Sequence, residues 1–229
     1  MADKLVRFQE RFNYTPINRK QTSEGRKYVT PNGDAVASVT TILDKTKSEE
    51  TKKALNEWRN RIGHAQAQAI TTEAASRGTS MHSHLEHWIA FGEIENKSNL
   101  VHQHSAKMAT RIIEEYLSPS LNEWWGSEVG LYYPELYAGT TDLVGVYDGV
   151  PSIIDFKQTN KPKKTEWIED YFLQAAAYAC AHNAVYGTDI KQGVILMCSK
   201  DVEPQHWVVD LTEYEHKWFD KVWEYYSNI

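Results

Sequence analysis

Two aspartates and a lysine stand at positions where they could hold a metal ion. They lie in the segment 139–157, GTTDLVGVYDGVPSIIDFK, in which Asp148-Gly149 is typical of a two-residue hairpin turn. Counting outward from that turn pairs Asp142 with Asp155, so their Cβ atoms would lie roughly 4.5–5.5 Å apart on one side of the sheet. Lys157 follows Asp155 by two residues and therefore points to the same side.

This pair of carboxylates predicts a site for a divalent cation. Two facing carboxylates repel each other, and a half-buried pair must share a proton or hold a cation. Oxygen ligands suit Mg²⁺ or Mn²⁺, and Lys157 beside them could hold an attacking water and offset charge on a phosphate. The alternative is a solvated Asp–Lys surface pair, and a register slip of one residue at Pro151 would place the two carboxylates on opposite faces.

A histidine on a predicted helix upstream could complete the site. His82 and Glu86 share one helical face, and His82 flanks an apolar stripe, so a neutral imidazole could point towards the sheet. Gly78, one turn earlier, would let the helix approach another element closely. The alternative is a surface His–Glu contact, and we expect His84 and His87 to be surface residues of that kind. Their spacing also allows a zinc site, although no third ligand is evident.

The surrounding pattern predicts an α/β fold, in which a central mixed β-sheet is flanked by helices and the N-terminal half is helical. We expect a single domain over 1–229, made of an N-terminal arm (1–25), a hairpin and helical part (26–120) and a catalytic α/β core (121–229). Predicted helices cover 51–88 with a break after Gly63, 102–116, 165–186 with Trp167 on its packed side, and 214–226. Predicted strands flank the Asn32-Gly33 turn and cover 124–133, 136–147, 151–156, 192–198 and 205–211.

The composition is that of a globular protein, with 41% hydrophobic and 24% charged residues among 229. A formal net charge of −6 disfavours a protein that coats DNA passively, but it fits a nucleic-acid enzyme whose acidic site holds metal cations. The two cysteines, Cys180 and Cys198, are too few for a disulfide scaffold or a four-cysteine metal site. No apolar run reaches about 18 residues and the N-terminus lacks the apolar core of a signal peptide, so we expect no membrane segment.

Six motifs along the chain resemble, in their order and spacing, those of the PD-(D/E)XK nuclease superfamily. They are Ser38-Val-Thr-Thr-Ile-Leu43, Trp58-Arg59, Arg77-Gly-x-x-x-His82-x-x-x-Glu86, Gly139-Thr-Thr-Asp142, Asp155-Phe-Lys157 and Gln174-x-x-x-Tyr178. The most similar branch is that of the RecB-like exonucleases, which includes mitochondrial genome maintenance exonucleases and phage exonucleases. The Asp-x-Lys motif alone recurs in many proteins, whereas the ordered set is specific and spans 28–211.

The resemblance implies a set of metal ligands. Asp142 and Asp155 would bind the ion through their carboxylates, Phe156 would bind it through its carbonyl oxygen, and His82 would be a further ligand. Glu128 lies on the preceding strand, where relatives often carry a second acidic group. Asp155 replaces the commoner glutamate, a substitution also found in the superfamily. The implied cofactor is Mg²⁺ or Mn²⁺, and the iron–sulfur cluster of some relatives is excluded because two cysteines cannot ligate it.

The resemblance also implies residues that act on the water and on the DNA. Lys157 would serve the nucleophilic water, and Gln174 and Tyr178, one helical turn apart, would line the site and orient Lys157 or the DNA backbone. The alternative for Gln174 and Tyr178 is plain packing of a helix on the sheet. Six residues are candidates for stacking on the DNA strand or pairing with its phosphates: Trp58, Arg59, Arg77, Lys161, Lys163 and Lys164. The three lysines could equally form a solvated loop.

These features together predict a metal-dependent DNA exonuclease that hydrolyses phosphodiester bonds in single-stranded DNA or at DNA ends. The alternatives are a structure-specific or restriction-type endonuclease on the same fold, a non-catalytic nucleic-acid-binding protein, and a zinc hydrolase built on the histidines. DNA is the expected partner, other replication or recombination proteins are candidate partners, and no membrane contact is expected. The expected location is the cytoplasm of a bacterium, or that of the host if a phage encodes the protein.

Overall fold

A mixed β-sheet lies between two helical layers in the computed structural model, which describes residues 7–23, 25–95 and 99–228. The elements of the N-terminal half are β1 (Arg7–Phe8), β2 (Asn18–Thr22), β3 (Gly25–Val29), β4 (Ala35–Ser38), α1 (Val39–Lys45), α2 (Glu49–Ile62), α3 (His64–Phe91), α4 (Leu100–Ile112), a π-helical turn (Ile113–Leu117) and α5 (Ser118–Ser120). Those of the C-terminal half are β5 (Leu121–Tyr133), β6 (Tyr137–Tyr147), β7 (Val150–Thr159), a 3₁₀ turn (Thr165–Trp167), α6 (Glu169–Tyr186), β8 (Gln192–Ser199), β9 (Pro204–Asp210) and α7 (Thr212–Ser227). This architecture confirms the predicted fold class.

The N-terminal residues differ from the arm expected for 1–25. Within the described part, β1 pairs with β5 and β2 pairs with β3, so this segment extends the sheet. All side chains of β1 and β2 are exposed. Because an edge strand pairs through its backbone while its side chains stay in water, such a strand leaves no hydrophobic alternation in the sequence. The predicted hairpin around Asn32-Gly33 is confirmed, with β3 and β4 antiparallel and Gly33 at a φ of 92°.

The predicted helical region contains two helices that meet at Gly63, as expected. Gly63 has a φ of 88°, a backbone conformation that glycine adopts without strain. α3 then continues to Phe91, and its inner face contributes Met81 and Leu85 to the core. None of the residues of α2 is buried, although its pattern is amphipathic. Within the described residues, no helix is both long and apolar enough to cross a bilayer.

The register of the β6–β7 hairpin is the one predicted from its turn. Asp148 and Gly149 have φ values of 49° and 78°, as a type I′ turn requires. The paired positions run from Tyr147 with Val150 to Leu143 with Ile154. Asp142 and Asp155 are therefore the next opposing positions, directly beyond the last paired residues.

A gap in the sheet lies beside Asp142. The strand order is β2-β3-β4-β6-β7-β8-β9, with β5 on the other edge of β6. β4 pairs with β6 at Tyr137 and Ala138, whereas β7 pairs with the same edge of β6 from Leu143 onward. No described strand covers 139–142 on that edge, so side chains from both helical layers can reach this place. α1, α6 and α7 cover one face of the sheet, and α3 and α4 cover the other.

A buried histidine attaches the N-terminal segment to α6. Nε2 of His182 lies 3.0 Å from the Tyr14 hydroxyl, and Nδ1 lies 2.8 Å from the Thr188 hydroxyl. Thr188 donates its proton to Oδ1 of Asn183 at 2.7 Å, so His182 donates from Nδ1 and accepts from Tyr14 at Nε2. Burial lowers the pKa of His182 to about 4, so the ring is neutral in the folded protein at neutral pH.

Acidification is expected to destabilise the folded protein through His182. The unfolded chain takes up this proton with a pKa of about 6.5, whereas the folded chain does so only near 4, so the unfolded state binds more protons between these values. The free energy of unfolding contributed here is complete above pH ~6.5 and falls by about 2 kcal/mol by pH ~5. Urea titrations at a series of pH values measure this loss, and His182→Gln should lack that part of it. The same pH dependence in both proteins would contradict the assignment.

Candidate active site

Asp142 lies at the gap with its carboxylate held by both neighbouring layers. Its Oδ2 accepts a hydrogen bond from the Phe156 N–H at 2.7 Å, and its Oδ1 lies 3.5 Å from Nδ1 of His82 on α3. Burial opposes the charge of Asp142, but His82, Lys157 and the Phe156 N–H outweigh it and lower the pKa of Asp142. Asp142 is therefore an ionised carboxylate with a fixed orientation.

Asp155 is the more deeply buried carboxylate of the pair, and its negative charge is disfavoured. It is only 2% exposed, and its Oδ2 lies 2.5 Å from Nζ of Lys157. This approach is poorly angled for a hydrogen bond, and Oδ2 accepts none from any described residue. Burial and the charge of Asp142 prevail over Lys157 and raise the pKa of Asp155 to about 6. The two carboxylates Asp142 and Asp155 carry more negative charge than Lys157 alone neutralises. A bound cation would reduce the repulsion between them.

Lys157 is held by α6. Its Nζ donates to Oε1 of Gln174 at 2.9 Å, and Nε2 of Gln174 donates to the Tyr178 hydroxyl at 3.3 Å. Nζ also lies 5.0 Å from the centroid of the Tyr171 ring. Burial disfavours the charge of Lys157, but Asp155 and Asp142 outweigh this and raise its pKa. Lys157 is therefore a charged hydrogen-bond donor rather than a base at neutral pH.

Glu128 joins His82 and Asp142 in one group of ligand atoms. One such atom from each residue lies within 4.8 Å of the others. Glu128 stands opposite Asp142, between the paired positions Ser127–Leu143 and Val129–Thr141. Its φ of 51° is left-handed, a conformation that costs a non-glycine residue about 1–3 kcal/mol and that clusters at functional sites.

The pKa values of Glu128 and His82 are also shifted by their surroundings. Partial burial, together with Asp142 and Glu86, raises the pKa of Glu128 to about 7. Burial opposes the charge of His82, but the carboxylate of Asp142 outweighs it and raises the pKa of His82. The three carboxylates Glu128, Asp142 and Asp155 form a row across β5, β6 and β7.

The donor set fits a hard divalent cation. Carboxylate oxygens with one imidazole suit Mg²⁺ or Mn²⁺, and the buried Oδ2 of Asp155, which accepts no hydrogen bond from the described part of the chain, has an unused lone pair. The zinc alternative is less well supported, because the described group of metal-binding side chains contains one histidine. His84, expected at the surface, is buried instead, with Nε2 3.1 Å from the His102 carbonyl of α4. It faces α4 because the helical face that it shares with Met81 and Leu85 packs there.

Two glycines show how closely the helices approach the site. A Cβ at Gly139 would lie 2.8 Å from the Tyr178 hydroxyl, so only glycine leaves room for this ring. A Cβ at Gly78 would lie 3.7 Å from Cβ of Gln158, which is an ordinary contact. The close approach predicted for Gly78 is therefore wrong, whereas Gly139 has the tight contact.

Gly139→Ala is expected to damage the site, whereas Gly78→Ala should not. The new methyl at 139 would displace Tyr178, and through Gln174 it would disturb Lys157, at a cost of about 1–3 kcal/mol in the free energy of unfolding. At 78, alanine should stabilise the helix by about 0.5–1 kcal/mol. Thermal melts and a cleavage assay measure both effects. A Gly139→Ala protein as stable and as active as Gly78→Ala would contradict the geometry.

A positively charged cleft of about 560 Å³ opens beside Lys157. It is lined by residues of the β2–β3 hairpin, of α1 and the turn that follows, and of α6, and among them are Gln21, Arg26, Thr40, Lys45, Lys47, Asp170, Tyr171 and Gln174. Arg26 and the two lysines could contact phosphates next to the reacting one. Sequence reasoning missed Tyr171 as a site residue, although its spacing of three residues from Gln174 and seven from Tyr178 places all three on one helical face.

The six residues predicted to contact DNA differ in burial and lie on different elements. Trp58 is half-buried and Arg59 is exposed on α2, and no described hydrogen bond or ion pair joins either to the site. Arg77 is buried and donates to Glu73 at 2.8 Å and to Asn160 at 2.5 Å. A guanidinium buried in this way is not available to a phosphate, so the interpretation of Arg77 as a strand contact is corrected to that of a residue that fixes Asn160. Lys161, Lys163 and Lys164 lie in the loop after β7.

Comparisons with known proteins point to exonucleases. No family model matches the chain. Proteins named mitochondrial genome maintenance exonuclease 1 from Homo sapiens, Xenopus tropicalis and Mus musculus are 26%, 29% and 28% identical, each over 80% of this chain. The chain spans only 58–60% of the length of these relatives. A solved structure from Eubacterium rectale overlaps 66% of this chain and 63% of its own, with a TM-score of 0.46 and 17% identity. The named relatives confirm, at low identity, the resemblance to PD-(D/E)XK-like exonucleases.

Proposed function

We propose that this protein is a Mg²⁺- or Mn²⁺-dependent DNA exonuclease that hydrolyses phosphodiester bonds in single strands or at DNA ends. The observation that carries the proposal is the largely buried cluster of Asp142, Asp155 and Lys157 at the gap in the sheet, where the pKa of Asp155 is raised to about 6. Buried like charges of this kind are costly, and they are characteristic of sites that bind a cation and a charged substrate. The exonuclease relatives support both the reaction and DNA as the substrate.

The carboxylates and His82 would hold the ion. Asp142 and Asp155 would contribute oxygens from adjacent strands, with His82 and Glu128 as further ligands and the Phe156 carbonyl as an additional candidate. The bound ion would supply Lewis-acid activation of a water molecule and neutralise charge on the phosphate. The hydrogen bond from the Phe156 N–H to Asp142 fixes the direction of this carboxylate before the substrate arrives.

Lys157 would act on the water and on the reacting phosphate. An ammonium group has three donors, and here one is used by Gln174, while the positive charge lies 2.5 Å from Oδ2 of Asp155. The remaining donors would orient the water or stabilise charge that develops on a phosphate oxygen. Gln174 and Tyr178 act through Lys157 by holding its side chain in this direction.

Residues 1–229 would act as one nuclease domain. The support is that β1 and β2 extend the sheet that carries the carboxylates, while α3 supplies His82. The cleft beside Lys157, with Arg26, Lys45 and Lys47 on its walls, would receive the phosphates next to the reacting one. The cytoplasmic location and the replication or recombination partners stay predictions.

A pair of matched substrates distinguishes the proposed exonuclease from an endonuclease. The same single-stranded sequence, end-labelled as a linear strand and covalently closed as a circle, is incubated with the protein and Mg²⁺. We expect the linear strand to be degraded progressively and the circle to remain intact, because an exonuclease requires an end. Digestion of the circle at a similar rate would favour the endonuclease alternative, and binding of both without cleavage in Mg²⁺ or Mn²⁺ would favour a non-catalytic protein.

A further inference from the structure

An exposed tryptophan lies among lysines on the loop that joins the strand and the helix of the site. This loop, residues 160–167, connects β7, which carries Asp155 and Lys157, with α6. The side chain of Trp167 is 61% exposed, which contradicts its predicted place on the packed side of the helix. The helix begins only at Glu169, so Trp167 lies in the preceding 3₁₀ turn and not on the packed face of α6.

The loop is held in place by side chains from other elements. Oε1 of Gln205 on β9 accepts from the Lys163 N–H at 2.7 Å, and Nε2 of Gln205 donates to the Lys163 carbonyl at 2.9 Å. Nε1 of Trp207 donates to the Thr165 hydroxyl at 3.0 Å. Arg77 fixes the start of the loop, as described above. Because these bonds order the backbone in advance, a ligand that contacts the loop pays little conformational entropy.

Trp167 lies close in the chain to a residue that contacts Lys157. It precedes Tyr171 by four residues, and the Tyr171 ring lies 5.0 Å from Nζ of Lys157. Nζ of Lys164 lies 5.3 Å from the centroid of the Trp167 ring and steadies it. Burial of a large apolar side chain usually stabilises a folded protein, so an exposed tryptophan on an ordered loop does not contribute in this way to the stability of the isolated protein.

We infer that Trp167 stacks on a base of the substrate strand outside the reacting nucleotide, while Lys161 and Lys164 contact the flanking phosphates. This inference rests on the proposed function and adds a binding residue to it. An exposed aromatic ring beside cationic side chains is the arrangement that binds single-stranded nucleic acid with little dependence on sequence. The excess of lysines over Glu166 on the loop favours a polyanion, in a chain whose net charge is otherwise negative.

The test measures binding of a fluorescein-labelled oligothymidine in the Lys157→Ala background, in which cleavage is expected to be slower by about 10²–10³. Adding Trp167→Ala should raise Kd roughly tenfold, the typical loss of one stacked base. Trp167→Tyr should recover most of the affinity. The matched control is Trp223→Ala on α7, whose side chain is 64% exposed and has no described hydrogen bond, ion pair or ring contact with residues 160–167. Equal affinities for Trp167→Ala and Trp223→Ala would overturn the inference, as would no measurable binding by the parent at low salt.

Two further readouts separate stacking from a general effect on the loop. With an oligonucleotide of the same length made of abasic sugars, Trp167→Ala should have no effect, and a loss as large as with bases would contradict stacking. Trp167→Ala should also leave the salt dependence of binding unchanged, whereas Lys161→Ala should reduce its logarithmic slope by about 0.7. If wild-type protein fails to cleave DNA while the Trp167 effect is present, the proposed function fails and this inference stands. If cleavage occurs without a Trp167 effect, only this inference fails.

Discussion

Lys157→Ala is expected to lower the rate of DNA cleavage by about 10²–10³ while affinity for DNA changes little. The reason is the geometry of Nζ, which is fixed by Gln174 and lies 2.5 Å from Asp155, where charge develops only as the phosphate reacts. A group that acts on developing charge lowers the activation barrier more than it strengthens binding of the substrate. Single-turnover rates on end-labelled DNA measure the first quantity, and anisotropy of a labelled oligonucleotide measures Kd.

The control for this variant is Lys200→Ala. Lys200 carries the same charge but pairs with Asp201 on a turn, at 2.9 Å, and is not part of the site. We expect its cleavage rate and affinity to match wild type. A Lys157→Ala protein that cleaves near the wild-type rate would remove Lys157 from the mechanism. A loss of binding with an unchanged rate at saturating DNA would make Lys157 a substrate contact instead.

Asp142→Asn is expected to abolish cleavage and to remove the stabilisation of the protein by Mg²⁺. A ligand that binds only the folded state adds RT ln(1 + [L]/Kd), about 1.4 kcal/mol at ten times Kd, which corresponds to about 3–5 °C in Tm for a chain of this size. Wild-type protein should show this rise between chelator and Mg²⁺. In chelator the variant should melt slightly below wild type, because the surroundings of Asp142 favour its charge and lower its pKa.

Asp148→Asn is the matched control, since it makes the same chemical change in the same hairpin. Asp148 lies in the type I′ turn with a φ of 49°, a position where asparagine is at least as well suited. This variant should keep both the Mg²⁺-dependent rise in Tm and the activity. If Asp142→Asn retains the same rise as Asp148→Asn, then Asp142 is not a ligand and its role is structural.

The elements that sequence analysis located correctly are those whose signals are local. Asp148-Gly149 sets the turn, and the turn sets the register that brings Asp142 opposite Asp155. Gly63 and the apolar stripe of α3 similarly define helices from neighbouring residues alone. The β1 and β2 strands were missed because β1 has only two residues and the side chains of both strands are exposed, so no hydrophobic alternation marks their backbone pairing with other strands.

The sequence is less informative about side chains that depend on distant packing. Arg77 was expected to contact DNA, yet α4 and the loop after β7 bury it. His84 was expected at the surface, yet α4 covers it, because the face of a helix that is buried depends on which elements pack on it. The left-handed backbone of Glu128, which brings its carboxylate to His82 and Asp142, has no signal in a non-glycine residue.

The central claim is that metal-dependent hydrolysis of DNA takes place at the Asp142–Asp155–Lys157 cluster. A time course on end-labelled single-stranded DNA tests it most directly, with wild-type protein first in excess chelator, then after Mg²⁺ is restored, and with Lys157→Ala in Mg²⁺ alongside. We predict no cleavage in chelator, cleavage once Mg²⁺ is present, and a rate lower by about 10²–10³ for the variant. Undiminished cleavage in excess chelator, or equal rates for the two proteins in Mg²⁺, would contradict the account.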